Sequence, residues 1–435
     1  MKKSLLNFFK RIEPDKKKSP FLHTAYDAFF TFAFTPNTTT KGGVHIRDGM
    51  DLKRLMVQVV LALQLCYLYG TYNIGQQHFE ALGMYGGFFE GFHLKLFHGL
   101  IKILPIFIVT NVVGLGIEFW YSAKRGHAVE EGFLVSGALI PLIMPPDIPL
   151  WMLGLSVAFA VILGKEAFGG TGMNIWNVAL LSRVFIFFAY PTFISGDEVW
   201  VSDIHKIKDI GYQSVQYGWA HHFFDWIFSG FGWSTFGNGA QSVIDGYTGA
   251  TPLALAAKGG WDNVLNVYST HQMWWGDIPG SIGETSKPLI ILGALYLVFT
   301  KIADWRIMVS MVLGCTFMGL IMNGMAPDQI TADTENIFKF MAVPWYYHFY
   351  MGSFLFAMAF MATDPVTAAS TRPGKWVYGF LIGAVGLIIR VWNPAYPEGW
   401  MLAILFMNTF SALIDNVVLN ANMKRRQKRT AAVSS

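Results

Sequence analysis

The sequence predicts an all-α polytopic membrane protein of about ten transmembrane helices, arranged as two inverted five-helix repeats. Three observations carry this expectation. Of 435 residues, 53% are hydrophobic and only 14% charged, whereas soluble domains carry roughly a quarter charged residues. About ten apolar runs approach the ~20 residues that a spanning helix needs. Each half of the chain also holds a Gly/Thr/Asn/Pro-rich interruption at the edge of an apolar run: Phe168-Gly169-Gly170-Thr171-Gly172-Met173-Asn174-Ile175-Trp176-Asn177 in the first, Met361-Ala362-Thr363-Asp364-Pro365-Val366-Thr367-Ala368 in the second. Corresponding breaks in two halves point to a binding site at the repeat interface.

Taken in order, residues 1–54 form a basic extension with eleven Lys and Arg, including Lys16-Lys17-Lys18. The first repeat, 55–193, has apolar runs near 55–73, 97–121, 130–145, 148–165 and 175–193, with room for a broken helix in the short pair over 130–165. A long segment, 194–285, separates it from the second repeat, 286–419, with runs near 286–304, 306–324, 344–362, 375–392 and 399–419. The tail, 420–435, carries Lys424-Arg425-Arg426-Gln427-Lys428-Arg429.

An even number of spans puts both basic ends on one side. Connectors on that side carry Lys124, Arg125, Lys165, Arg306, Arg372 and Lys375, while Ala326 to Phe338 on the other side is acidic. Basic residues accumulate in cytoplasmic loops, so both termini are expected in the cytoplasm and the 194–285 segment on the outer face. On a membrane protein such basic ends mark the cytoplasmic side more simply than they mark nucleic-acid binding. Cys66 and Cys315 lie in apolar runs with neither metal-site nor disulfide spacing and read as packing residues. No apolar core follows Met1-Lys2-Lys3, so the N-terminus does not read as a cleavable signal.

Within the outer segment, Asp245-Gly246-Tyr247-Thr248-Gly249-Ala250-Thr251 presents a hydroxyl among small residues. Asp-Gly and Thr-Gly are ordinary turn chemistry. A hydroxyl with small neighbours can also be esterified, because there is room for a bulky substituent. Asn174 and Asn177, three apart, would share a face if helical. They read either as helix caps or as partners for a heterocycle presenting donors and acceptors, since an amide offers both. Acids in or beside apolar runs are Glu131, Glu166, Asp364, Glu398 and Asp415. An acid inside a span is a functional-site hypothesis by default. Glu398 and Asp364 read as interfacial, while Asp415, near the inner end of the last run, reads either as handling Na+ or H+ or as a snorkelling or helix-pairing residue. There is no glycine loop following a strand and no clustered Cys/His motif, so nucleotide oxidation or hydrolysis is expected elsewhere.

The chain resembles the family of the membrane-embedded B component of the sodium-translocating NADH:quinone reductase. The resemblance rests on His45-Ile46-Arg47-Asp48 with Asp51-Leu52-Lys53-Arg54, Lys165-Glu166-Ala167-Phe168-Gly169-Gly170-Thr171-Gly172, and Phe187-Phe188-Ala189-Tyr190-Pro191. It continues through Ile194-Ser195-Gly196-Asp197, Ile278-Pro279-Gly280-Ser281-Ile282-Gly283-Glu284, Phe360-Met361-Ala362-Thr363-Asp364-Pro365-Val366 and Arg390-Val391-Trp392-Asn393-Pro394-Ala395-Tyr396-Pro397-Glu398-Gly399.

It implies a urea-transporter-like fold and an oxidoreductase and translocase component of the bacterial inner membrane, active only in a complex with the A, C, D, E and F components. It implies FMN in phosphoester linkage to Thr251, with Asp245, Gly249 and Ala250 in the attachment motif read by a separate flavin transferase. Asn174 and Asn177 would hold a non-covalent riboflavin, although Asn177-Val178-Ala179 stands where the family has Asn-Pro-Ala. Glu131 and Asp415 would serve Na+, and ubiquinone would bind near Gly126. Electrons would pass from FMN through riboflavin to quinone, coupled to Na+ export. The stretch from Ser202 to Val243 reads as an insertion, either an outer loop or a partner-docking surface. The alternatives are the D component of an Rnf ferredoxin–NAD reductase and, on fold alone, a solute channel.

Overall fold

The computed structural model describes residues 52–125, 132–196, 199–204, 218–236, 247, 249–327, 334–393 and 398–434, with scattered positions ahead of residue 52. Among them every regular element is helical. The first half contributes α1 (Leu52–Ala81), α2 (Phe92–Arg125), α3 (Phe133–Ile143), α4 (Leu150–Gly164) and α5 (Val178–Ala189). The long middle segment is not merely loop: it contains α6 (Trp219–Gly230), α7 (Pro252–Leu265) and α8 (Thr270–Trp275). The second half adds α9 (Lys287–Phe299), α10 (Trp305–Met325), α11 (Asn336–Met341), α12 (Arg372–Trp392) and α13 (Trp400–Ser434).

Six helices among the described residues are long and apolar enough to cross a membrane, namely α1, α2, α4 with the turn that follows it, α10, α12 and α13. The chain is a multi-pass membrane protein. The runs at α3, α5 and α9 form shorter apolar helices. For α3 the cause lies in its sequence, Pro141-Leu142-Ile143-Met144-Pro145-Pro146-Asp147-Ile148-Pro149. Met144 is extended (φ −93°, ψ 155°), as a residue before proline tends to be, and Pro149 opens α4. The predicted run at 344–362 is no single helix. It passes through a 3₁₀ turn (Trp345–Phe349), a short helical turn (Phe354–Phe356) and a π-helical stretch (Ala357–Met361). At the other extreme, α13 continues beyond its apolar part through the basic tail.

Small residues set the closest helix contacts. A Cβ on Gly75 would run into the Lys95 carbonyl and one on Gly99 into that of Thr71, so α1 and α2 meet backbone to backbone. Gly314 on α10 faces the Phe380 carbonyl, and Gly383 on α12 faces that of Met311. With Ser310 and Gly379, these residues form small pairs four apart on each helix, the spacing that lets membrane helices approach closely. In the first half α2 packs on α4 and α4 on α5. In the second, α10 packs on α12 and α12 on α13. Likewise α1 lies on α3, and α9 lies on the π-helical stretch.

Candidate functional site

Thr251 is the N-cap of α7, and its Oγ1 accepts the Ala254 N–H at 3.2 Å. The residues before it explain the turn. Gly249 has φ +64°, a left-handed conformation that a residue without Cβ adopts at no steric cost. Ala250 is buried, and its carbonyl accepts the Tyr268 hydroxyl at 2.9 Å. Pro252 at the first helical position has no N–H to leave unsatisfied. Asp245, Gly246 and Thr248 of the expected turn lie outside the described residues; what the structure gives is the left-handed Gly249 leading into the Thr251 cap.

The hydroxyl lines a cavity of about 490 Å³. Ala254 and Ala257 on α7 are small and leave it open, while Phe187, Trp200, Ile337 and Phe340 give it apolar walls. Two cations line it as well, Lys258 and Arg183. Arg183 is 2% exposed. Its Nη2 is ion-paired to Glu398, and its guanidinium lies 5.4 Å from the centroid of the Trp200 ring. Just behind, the fully buried Arg390 donates to the His348 carbonyl at 2.9 Å and lies 5.0 Å from the centroid of the Trp400 ring.

Asn174 and Asn177 do come together at one cavity, but not on one helix face. Residues 171–177 are non-helical, and Asn177 is the N-cap of α5. Its Oδ1 accepts Ala179 N–H at 3.0 Å and Leu180 N–H at 3.3 Å. Its Nδ2 donates to Asp364 Oδ2 at 3.4 Å, which joins the two sequence interruptions. Asn174 donates to the Trp176 carbonyl at 3.2 Å. The shared-face expectation fails because the helix begins only after the second amide, so the cap reading holds for Asn177. The space enclosed is about 70 Å³, against roughly 300–1,000 Å³ for ligand pockets. The donor set suits a heterocycle such as riboflavin; the room as it stands does not.

Asp415 accepts Ser370 N–H at 2.7 Å, Thr371 N–H at 3.0 Å and the Thr371 hydroxyl. It ties α13 to the N-terminus of α12, where the helix dipole favours a negative charge. Glu166 takes Arg125 at 3.1 Å. Glu131 and Gly126 lie outside the described residues. Sequence reasoning missed the buried Glu118–Lys165 ion pair between α2 and the end of α4, and the Arg183–Glu398 pair. Their partners stand 47 and 215 residues apart, and no local pattern announces them.

A polar network pins the insertion to the bundle. His98 Nδ1 and His221 Nε2 are 3.1 Å apart, and His98 Nε2 lies 2.9 Å from Ser202 Oγ. Lys102 bridges Asp147 and Asp203, each at 2.7 Å. His78, His98 and Asp203 bring ligand atoms within 4.8 Å of one another, but the Lys102 ammonium already supplies the positive charge there. Burial, helped by the Lys102 charge, pushes His221 down from 6.5 to about 4. Between those pH values the unfolded chain binds more protons than the folded one, so the docking of α6 weakens as pH falls. The loss reaches on the order of 3 kcal/mol at pH 4. Limited proteolysis near α6 should accelerate from pH 6.5 towards pH 4, and His221→Gln should flatten that profile.

Fold and site together define a helical multi-pass membrane protein with a large cavity around a helix-capping threonine and a small amide-lined one at the N-terminal end of α5. Residues 39–424 match the NQR2, RnfD, RnfE family. The chain is 41% identical over 429 residues to the B component of the Na(+)-translocating NADH-quinone reductase of Chromohalobacter salexigens, covering 95% of this chain and 92% of that one. It is 40% identical over 427 residues to the protein of that name from Ectopseudomonas mendocina, with 94% of each chain covered. With its Neisseria meningitidis counterpart it shares 37% over 455 residues, covering 98% and 99%. The chain belongs to the NQR2, RnfD, RnfE family.

Proposed function

We propose that this chain is the flavin-bearing membrane component of a sodium-translocating NADH:quinone reductase, working only within the assembled complex. The relatives' names favour this over the Rnf component. The observation that carries the flavin assignment is the placement of Thr251, a helix-capping hydroxyl opening on a cavity of about 490 Å³.

The residues present fit an FMN phosphoester. Oγ1 acts as an acceptor in the cap, a role that an ester oxygen keeps. A phosphate there would meet the positive end of α7, with Lys258 and Arg183 on the same cavity, while the aromatic walls suit a fused ring. A flavin supplies the ability to take up and release electrons one or two at a time. The protein's part is to anchor it, surround it with apolar surface and hold positive charge beside it.

The second flavin reading, riboflavin at Asn174 and Asn177, needs the amide cavity to widen, so no step is derived through it. The two cavities lie close along one helix. Val178 lines one cavity and Arg183 the other, and five residues of α5 rise only about 8 Å. The inverted-repeat, urea-transporter-like architecture is supported by the matching adjacencies of α2–α4–α5 and α10–α12–α13. The basic tail and connectors support cytoplasmic termini and an outer position for Thr251.

The reading is tested by purifying the complex through this chain and assaying NADH oxidation with a water-soluble ubiquinone analogue. Quinone reduction stimulated by Na+ is expected. A complex that instead exchanges electrons between ferredoxin and NAD, or a chain isolated alone without flavin, overturns it.

A further inference from the structure

We infer that α6 is an interfacial anchor whose outer face lies on the lipid headgroup layer of the same bilayer the spanning helices cross. The helix is two-faced in a specific way. His221 and Phe228 are buried against the bundle, and Phe97 packs on Phe224 and Phe228 with ring centroids 4.5 Å and 5.2 Å apart. The opposite face carries Trp219, Phe223 and Trp226, at i, i+4 and i+7, exposed by 84%, 50% and 74%. Phe231, 70% exposed, follows directly. Single exposed aromatic residues need no explanation, but a contiguous aromatic face marks an interaction surface.

The position of α6 on α2 says what covers that face. The helix rests on His93 and Phe97: the His93 ring lies 4.9 Å from that of Phe228, and its Nε2 is 3.0 Å from the Ser234 carbonyl oxygen. Along α2, His93, Phe97, Leu100, Leu104, Phe107 and Ile108 fall within one narrow arc at 100° per residue. The last four are exposed and apolar, as residues that face lipid are. So α6 sits directly above the lipid-facing stripe of α2.

Depth follows from length. From Leu100 to Trp120, twenty residues rise about 30 Å, the thickness of the hydrocarbon core. Trp120 and Tyr121 close that stretch at one end. One to two turns beyond Leu100, at the headgroup level where Trp and Tyr concentrate, is α6. Its polar network through His221, His98 and Ser202 fixes the rotation that keeps the aromatic face away from the bundle. The face has no Lys or Arg, so attachment comes from apolar and aromatic burial and needs no anionic lipid.

The test places a photoreactive benzoylphenylalanine at Trp226 of the full complex, reconstituted in vesicles of phosphatidylcholine alone. Irradiation should give a phosphatidylcholine adduct on this chain, detected by mass spectrometry, and its yield should not change when phosphatidylglycerol is added or salt is raised. The same label at Phe223 reads the face a second time should the first variant not assemble. An adduct to another polypeptide, or no lipid adduct at either position, overturns the assignment.

Discussion

Replacing Thr251 by asparagine is expected to remove the fluorescent band that this chain gives under ultraviolet light on a denaturing gel after co-expression with a flavin transferase. The choice of asparagine matters. Thr251 does two jobs: it caps α7, and it offers a hydroxyl to the cavity. Alanine would remove both, with a cap loss of about 1 kcal/mol, so a missing band could reflect poor folding. Asparagine is at least as good an N-cap as threonine but has no hydroxyl to esterify, and it separates the two jobs. Serine keeps both and should retain the band. The expected pattern is therefore band present for threonine and serine, band lost for asparagine and alanine, with all four proteins assembled into the complex to similar levels. A band that survives in the asparagine variant places the anchor at another residue. A band missing from the unsubstituted protein leaves the cavity without its covalent flavin.

What can be read from the sequence follows from how far each signal reaches along the chain. Membrane insertion is legible because it is an average over long windows, which 53% hydrophobic residues dominate. The shortness of α3 is half legible, since its proline cluster is local. The irregular course of residues 344–362 is not, because hydropathy carries no information on whether apolar backbone is α, 3₁₀ or π. The amide pair shows the limit of spacing arguments. Asn174 and Asn177 do reach one cavity, but a periodic argument assumes a helix that Asn177 itself begins. The insertion reads from sequence as a loop or a docking surface, although Trp219, Phe223 and Trp226 have helical spacing. That pattern gains meaning only once Phe97 and His93 show which side is covered. The ion pairs of the interior are the least legible, because a charge in an apolar run does not name its partner.

The largest effect on stability is expected at one of those pairs. Arg183 is almost fully buried and pairs with Glu398 in the wall of the Thr251 cavity. Breaking such a pair by removing one partner typically costs about 3–5 kcal/mol, because the other charge stays buried and uncompensated. Arg183→Leu should therefore lower the melting temperature of the complex strongly. Replacing both partners by residues of similar volume is often neutral or stabilising, so Arg183→Leu combined with Glu398→Leu should regain most of that loss. The comparison separates support from function. If the pair served packing alone, the double variant would behave like the unsubstituted protein in every respect. If the guanidinium acts on the bound flavin from closer range than the Glu398 carboxylate, the double variant should melt normally while its covalent flavin has a lower midpoint potential, since losing the nearer positive charge outweighs losing the farther negative one. Spectroelectrochemical titration of the purified complex reads that potential. An unchanged value would confine Arg183 to holding the cavity wall, and a double variant as unstable as Arg183→Leu would show that the two charges are not compensating one another.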